Sequence, residues 1–176
     1  AELFNLKAII HESLGEDQKA LENWHKATEI RKDYAEAYFN IANYYNFNDN
    51  YEKSLDNYNK ALQINNNYFL ALVNRTDLYL KYQKYELALV DYGIIISQEP
   101  NMTRMHYNKA VVLNHLGQKK AAIISLNKAI ELKAKFPKAF FLRGLICWQL
   151  NLYEQALSDL EKAYSLKKDS DFLNSL

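Results

Sequence analysis

Residues 35–68 read AEAYFNIANYYNFNDNYEKSLDNYNKALQINNNY. Ala37, Tyr38, Ile41, Ala42 and Tyr45 keep the i, i+3, i+4 spacing of one amphipathic helix. Asn46–Asn50 then interrupts the pattern with turn formers. Leu55, Tyr58, Ala61, Leu62 and Ile64 resume it as a second helical stripe. The stretch predicts a helix, a tight turn and a second helix, and no strand-like alternation competes.

The same pattern recurs on both sides of this stretch. Blocks 1–34, 35–68, 69–102, 103–136 and 137–170 align without insertion or deletion, and residues 171–176 remain. Small residues repeat at fixed positions: Ala8, Ala42, Thr76, Ala110 and Gly144 in the eighth column, Ala20, Ser54, Ala88, Ala122 and Ala156 in the twentieth. The twenty-seventh column holds Ala27, Ala61, Ile95, Ala129 and Ala163. Large residues repeat beside them, as Trp24, Tyr58, Tyr92, Leu126 and Leu160, and as Leu21, Leu55, Leu89, Ile123 and Leu157. Small positions let two helices approach, and large ones fill the space left over.

Composition agrees with a helical array. The 176 residues are 49% hydrophobic with only four Gly and two Pro, which excludes a turn-rich all-β fold and low-complexity disorder. A single Cys excludes an internal disulfide framework. Net charge is +1, so no bulk attraction to nucleic acid or an anionic membrane is expected. Apolar stretches such as Ala121–Leu126 fall far short of the ~18 residues of a membrane span. No signal-like segment is present, and a cytoplasmic location is the expectation, although the chain starts at Ala. The 18 Lys against four Arg, with abundant Asn, Tyr and Ile, match AT-rich coding.

On these columns the chain resembles the tetratricopeptide repeats, whose unit is a 34-residue helix–turn–helix with this small/aromatic arrangement. The resemblance covers all five blocks. It implies an all-α fold, an α-α superhelix of helix-turn-helix repeats forming one domain over 1–176, with residues 171–176 starting a further or capping helix. The chain departs from the family at the seventh column, usually Leu, which here holds Lys7, Ile41, Arg75, Lys109 and Arg143. Ile95 replaces an Ala, and only Pro100 closes a block, Pro137 instead opening the fifth. Local repacking is expected at these positions.

The resemblance further implies that the first helices line a concave groove. Their groove columns hold Glu36, Phe39, Asn40, Asn43 and Phe47 in the second block, and Val73, Asn74, Asp77 and Lys81 in the third. The fourth block supplies Arg104, Tyr107, Asn108, Val111 and His115, and the fifth Lys138, Phe141, Leu142 and Trp148. Asn40, Asn74 and Asn108 share the sixth column, flanked by Leu6 and Leu142. Asn costs about 0.5 kcal/mol inside a helix relative to Ala, yet offers one acceptor and two donors per rung. The row is similar to the asparagine ladder of O-linked N-acetylglucosamine transferases, which implies pairing with a peptide backbone. The competing explanation is compositional, since the second block alone contains ten Asn.

Asn43, Asn74 and Arg104 also match three positions of the carboxylate clamp of heat-shock co-chaperones. Phe39 and Asn108 stand where that clamp has cations, so a working clamp is not expected. The fourth block carries seven basic residues and one acidic, but Lys119, Lys120, Lys128, Lys133 and Lys135 fall on turns and second helices. Arg104, with Lys138, is placed to meet an acidic group on a ligand. RNA or DNA is a poor expectation. Phe39, Tyr107, Phe141 and Trp148 are candidate anchors, whereas Tyr38, Tyr45, Tyr58, Tyr79 and Tyr92 fall in core columns.

No catalytic constellation is present. His11, His25, His106 and His115 lack metal-ligand spacing, Cys147 falls in a core column, and Gly15 and Gly117 fall at turns between paired helices. No metal and no cofactor is expected. The expected function is a non-enzymatic module binding an extended peptide segment of a partner through Asn40, Asn43, Asn74, Asn108, Arg104, Phe39, Tyr107, Phe141 and Trp148. Alternatives are a substrate-recruiting arm of a larger enzyme, or a spacer acting through its ends. Phe172, Leu173 and Leu176 suggest an array that continues or stacks end to end on another copy.

Overall fold

A computed structural model describes the backbone of residues 1–173 and the side chains of residues 1–168. Among the described residues there are ten α-helices and no strand: α1 Glu2–Ser13, α2 Asp17–Ile30, α3 Ala35–Phe47, α4 Tyr51–Ile64, α5 Phe69–Lys81, α6 Tyr85–Gln98, α7 Thr103–His115, α8 Lys119–Leu132, α9 Pro137–Gln149 and α10 Tyr153–Leu173. Each block of 34 holds one pair, and α9 opens on Pro137, whose missing N–H costs nothing at a first helical position. Helix α10 runs on past the fifth block as far as Leu173. The side chains of Phe172 and Leu173, and all of Leu176, on which the expected continuation rested, lie outside the described residues. The chain divides into two compact units, Ala1–Asp91 and Tyr92–Leu176, the division falling within α6.

One turn is built five times. The fifteenth column of every block has a positive φ: Gly15 at 72°, Asp49 at 55°, Gln83 at 56°, Gly117 at 73° and Asn151 at 60°. Behind each, the next N–H reaches back to the eleventh-column carbonyl, Glu16 to His11, Asn50 to Tyr45, Lys84 to Tyr79, Gln118 to Leu113 and Leu152 to Cys147, at 2.7–2.9 Å. This is the Schellman closure, which satisfies the last carbonyls of the first helix and turns the chain into the second. Gly suits the left-handed position, and Asp and Asn tolerate it; Gln83 has no such excuse.

The small columns are where the helices touch. Ala8, Ala42, Ala110, Ala20, Ser54, Ala88, Ala122, Ala27, Ala61 and Ala129 are all fully buried. The Ser54 hydroxyl donates across the contact to the Ala42 carbonyl at 3.0 Å. At Gly144 a Cβ would already stand 3.0 Å from Leu160 Cγ and 3.2 Å from the Ala156 carbonyl. Trp24, Tyr58, Tyr92 and Leu126 fill the remaining space and are buried. Burying each contributes on the order of 2–3 kcal/mol. Tyr38 and Tyr45, expected in the core, are only half-buried. Their rings lie beneath the ammonium groups of Lys60 and Lys53, at 5.8 and 5.0 Å.

The seventh-column departures have a physical reason. Arg75 donates from Nε and Nη2 to both carboxylate oxygens of Asp91 at 2.9 and 2.6 Å, and from Nη1 to Asn59 Oδ1 at 2.7 Å. Arg143 repeats this with Asp159 at 2.8 and 2.6 Å and Asn127 at 2.7 Å. In both cases the acid stands sixteen residues ahead and the amide sixteen behind, so one guanidinium ties a first helix to its own second helix and to the preceding one. Asp91 and Asp159 are 1% and 4% exposed. Burial works against the Arg75 charge, but the Asp91 carboxylate more than offsets it and the guanidinium titrates above its ordinary value.

Breaking this clasp strands a buried charge. Arg75→Leu is expected to lower the unfolding free energy by about 3–5 kcal/mol, and the double variant Arg75→Leu/Asp91→Leu to recover most of it. Denaturant midpoints check both, and equal loss in single and double variants would contradict the clasp. Gln83→Gly is expected to stabilise by about 0.5–1 kcal/mol by relieving the left-handed backbone. A lower midpoint for that variant would refute the turn assignment.

Candidate functional site

Within the first unit, the first-helix amides form two hydrogen-bonded groups. Asn40 Nδ2 donates to Asn5 Oδ1 at 3.3 Å, and Asn5 Nδ2 donates to Glu36 Oε1 at 3.1 Å, linking α1 to α3. Asn74 Nδ2 donates to Asn43 Oδ1 at 2.9 Å, linking α5 to α3. The Tyr58 hydroxyl donates to the same Asn43 oxygen at 2.6 Å. Burial pushes the Tyr58 phenol up to about 12, so it stays a donor at physiological pH. Two donors on one oxygen fix how Asn43 is turned. The Asn43 NH₂ and the Asn74 Oδ1, a donor and an acceptor, take no part in these two bonds.

The sequence columns brought Asn40, Asn43 and Asn74 together but missed two participants. Asn5 is buried and sits in the fifth column, where the other blocks carry Phe39, Val73, Tyr107 and Phe141; an isolated polar residue in that column was the available signal. Tyr58 was read as core, and it is, but its hydroxyl reaches the first helix.

Beside these amides lies a cavity of about 500 Å³ lined by Glu12, Asp17, Asn43, Tyr44, Asn46, Phe47 and Asn74. Phe47 is 82% exposed. Burial, and next the neighbouring charge of Asp17, holds the Glu12 carboxyl above its ordinary value. Asn46 Oδ1 is buried without a donor, as is Asn114 Oδ1 at the same column of the fourth block.

The aromatic candidates divide into two kinds. Phe39 is half-buried, its ring 5.1 Å from Tyr68 and 6.2 Å from Tyr58. Tyr107 in the second unit repeats the first of these contacts, 5.0 Å from Phe136. Both serve the packing of their own block. Phe141 and Trp148 are 52% and 59% exposed. Phe141 lines a second cavity of about 520 Å³ with Pro137, Lys138, Leu160, Ala163, Tyr164 and Lys167. Asn108 is half-buried and Arg104 exposed, both on α7.

Chemistry is sparse elsewhere. Among the described residues no cluster of His, Cys, Asp and Glu could hold a metal ion. Cys147 is fully buried, and burial pushes its thiol up, which makes it a poor nucleophile. His11 Nδ1 stands 2.6 Å from Glu16, and His106 Nε2 stands 2.8 Å from the Pro100 carbonyl; both serve local turns. No helix among the described residues is long and apolar enough to cross a membrane.

The structure is similar to solved tandem-repeat proteins over nearly its whole length. MamA superposes with a TM-score of 0.83 at 15% identity, covering 97% of this chain and 93% of that one. MamA 41-end from Desulfovibrio magneticus RS-1 gives 0.79 at 19%, covering 97% and 96%. YrrB, a TPR protein with an unusual peptide-binding site, gives 0.80 at 23%, covering 94% and 86%. At these identities the likeness establishes the fold. The tetratricopeptide-repeat profile itself matches residues 35–68, 103–136 and 137–170, the second, fourth and fifth blocks as the sequence divides them. Repeats of this kind serve as non-catalytic protein-interaction modules, and with more than half of its length matched, the chain belongs to the tetratricopeptide-repeat family.

Proposed function

We propose that the chain binds an extended segment of a partner protein along its first helices. Asn40, Asn43 and Asn74 of the first unit pair with the segment's backbone; the second unit, taken by itself, offers the same kind of amide at Asn108 and a cation for an acidic group at Arg104. The observation that carries this reading is the double donation onto Asn43 Oδ1, which leaves an amide donor and the Asn74 acceptor held in fixed orientation. An extended peptide presents a carbonyl and an N–H to match, whatever its side chains. Pre-orientation matters because amide contacts are weak individually, about 0.5–1.5 kcal/mol net each, and freezing loose side chains would consume that gain. Phe141 and Trp148, the exposed aromatics, supply apolar burial for the ligand.

Random-peptide panning on the immobilised chain supplies the ligand, and affinity is then measured for native protein and for Asn40→Ala/Asn74→Ala/Asn108→Ala after circular dichroism confirms equal helicity. The triple variant is expected to bind at least about tenfold more weakly, the sum of a few lost amide contacts. Unchanged affinity would reject the amide row. Tyr58→Phe keeps the ring but removes one donor from Asn43, so a smaller loss, about threefold, is expected with the helices intact. A full-strength Tyr58→Phe variant would show that Asn43 needs no fixing.

A further inference from the structure

The cavity lined by Glu12, Asp17, Asn43, Tyr44, Asn46, Phe47 and Asn74 has a composition that the backbone-pairing role of the amides does not use. It contains two carboxylates and no basic residue. The basic groups nearby in sequence are engaged elsewhere: Lys19 and His11 both contact Glu16. Lys81, whose ammonium reaches the Asn46 carbonyl at 3.5 Å, is paired with Asp49. Glu12 and Asp17 thus repel one another with no counter-charge, and Glu12 is protonated more readily than an ordinary glutamate.

We propose that this cavity receives a lysine or arginine side chain of the bound partner segment. The inference rests on the reading that this face of the first unit holds such a segment, and it names the residue type that the segment places there.

Three features of the lining select an organic cation over other occupants. Two carboxylates attract a positive charge and reject a negative one. Phe47, with most of its ring in solvent, and Tyr44 offer π faces, which attract an ammonium or guanidinium but contribute nothing to a bare metal ion. No three-membered cluster of metal-ligating groups exists among the described residues, so a metal lacks the donors it needs.

The test uses single-residue probes, so it does not depend on knowing the partner. The chain, labelled with ¹⁵N, is titrated with Nα-acetyl-lysine amide and with its neutral isostere Nα-acetyl-norleucine amide. The lysine probe is expected to shift the side-chain amides of Asn43, Asn46 and Asn74 and the Phe47 backbone signal. It should bind about fivefold or more tightly than norleucine, the combined effect of exposed ion pairs and one cation–π contact. Glu12→Gln/Asp17→Asn, which removes a repulsion and so leaves the fold intact, should abolish that preference. Phe47→Ala, at an exposed position, should reduce it about two- to threefold. Equal shifts from both probes, no shift from either, or a lysine preference that survives Glu12→Gln/Asp17→Asn would each overturn the proposal. Such failure is separable from failure of the peptide reading: the asparagine triple variant tests backbone pairing and leaves Glu12 and Asp17 in place.

Discussion

Paired helices in this chain approach one another at fully buried alanines, and every other feature follows from that contact. Apart from Thr76 and Ile95, the eighth, twentieth and twenty-seventh columns hold only Ala, Ser or Gly, and the gap between helices is correspondingly narrow. Gly144 shows the limit, since even a methyl group would press on Leu160 and the Ala156 carbonyl. Such an approach demands that the connecting turn be short and always the same. The fifteenth-column residue in the left-handed region and the carbonyl closure behind it supply that turn in all five blocks. Large residues at the twenty-fourth column fill what the alanines leave open, and the repeat becomes self-consistent: small contact, fixed turn, large filler.

First helices bury only part of their surface, through residues such as Ile41, Leu72, Leu78 and Ile146, and their remaining positions are free to carry polar residues. Asn40, Asn43 and Asn74 occupy positions that the core does not need, at a modest cost in helix propensity. Tyr58 connects the two roles. Its ring is core, while its hydroxyl steps out of the core to hold Asn43. The Arg75 and Arg143 clasps are the opposite case, charge brought into the packing and satisfied there by an acid and an amide on two different helices. A clasp of this kind adds little net stability over an apolar residue, but it penalises a mispaired helix heavily, which favours correct registration between similar repeats.

The repeat, its period and its helix pairs were legible in the sequence because they depend on spacing alone. The eighth, twentieth and twenty-seventh columns were enough to locate the contacts between helices, and Gly15 and Gly117 marked two of the turns. Asp49, Gln83 and Asn151 did not announce themselves, since only their alignment with the two glycines reveals the shared backbone conformation. Arg75 and Arg143 were visible as departures, but their partners stand sixteen residues away on both sides, a separation that helical periodicity does not connect. Likewise the column of Phe39 and Tyr107 did not reveal that each ring meets the last residue of its own block, Tyr68 or Phe136. Asn40, Asn74 and Asn108 share a sequence column, but the hydrogen bonds join Asn40 to Asn5 and Asn74 to Asn43 instead of joining the column to itself. Which amide donates to which depends on side-chain geometry between neighbouring blocks, and no periodicity encodes it.

A partner segment lying on the first helices must contact their amides. Side-chain NH₂ resonances of the asparagines report on it directly when a panned peptide is added to the native chain. The account requires Asn43 and Asn74 to shift while Asn57, whose Nδ2 is bonded to the Lys53 carbonyl on a second helix, stays fixed. Movement of Asn57 and other second-helix signals, with Asn43 and Asn74 unmoved, would contradict it.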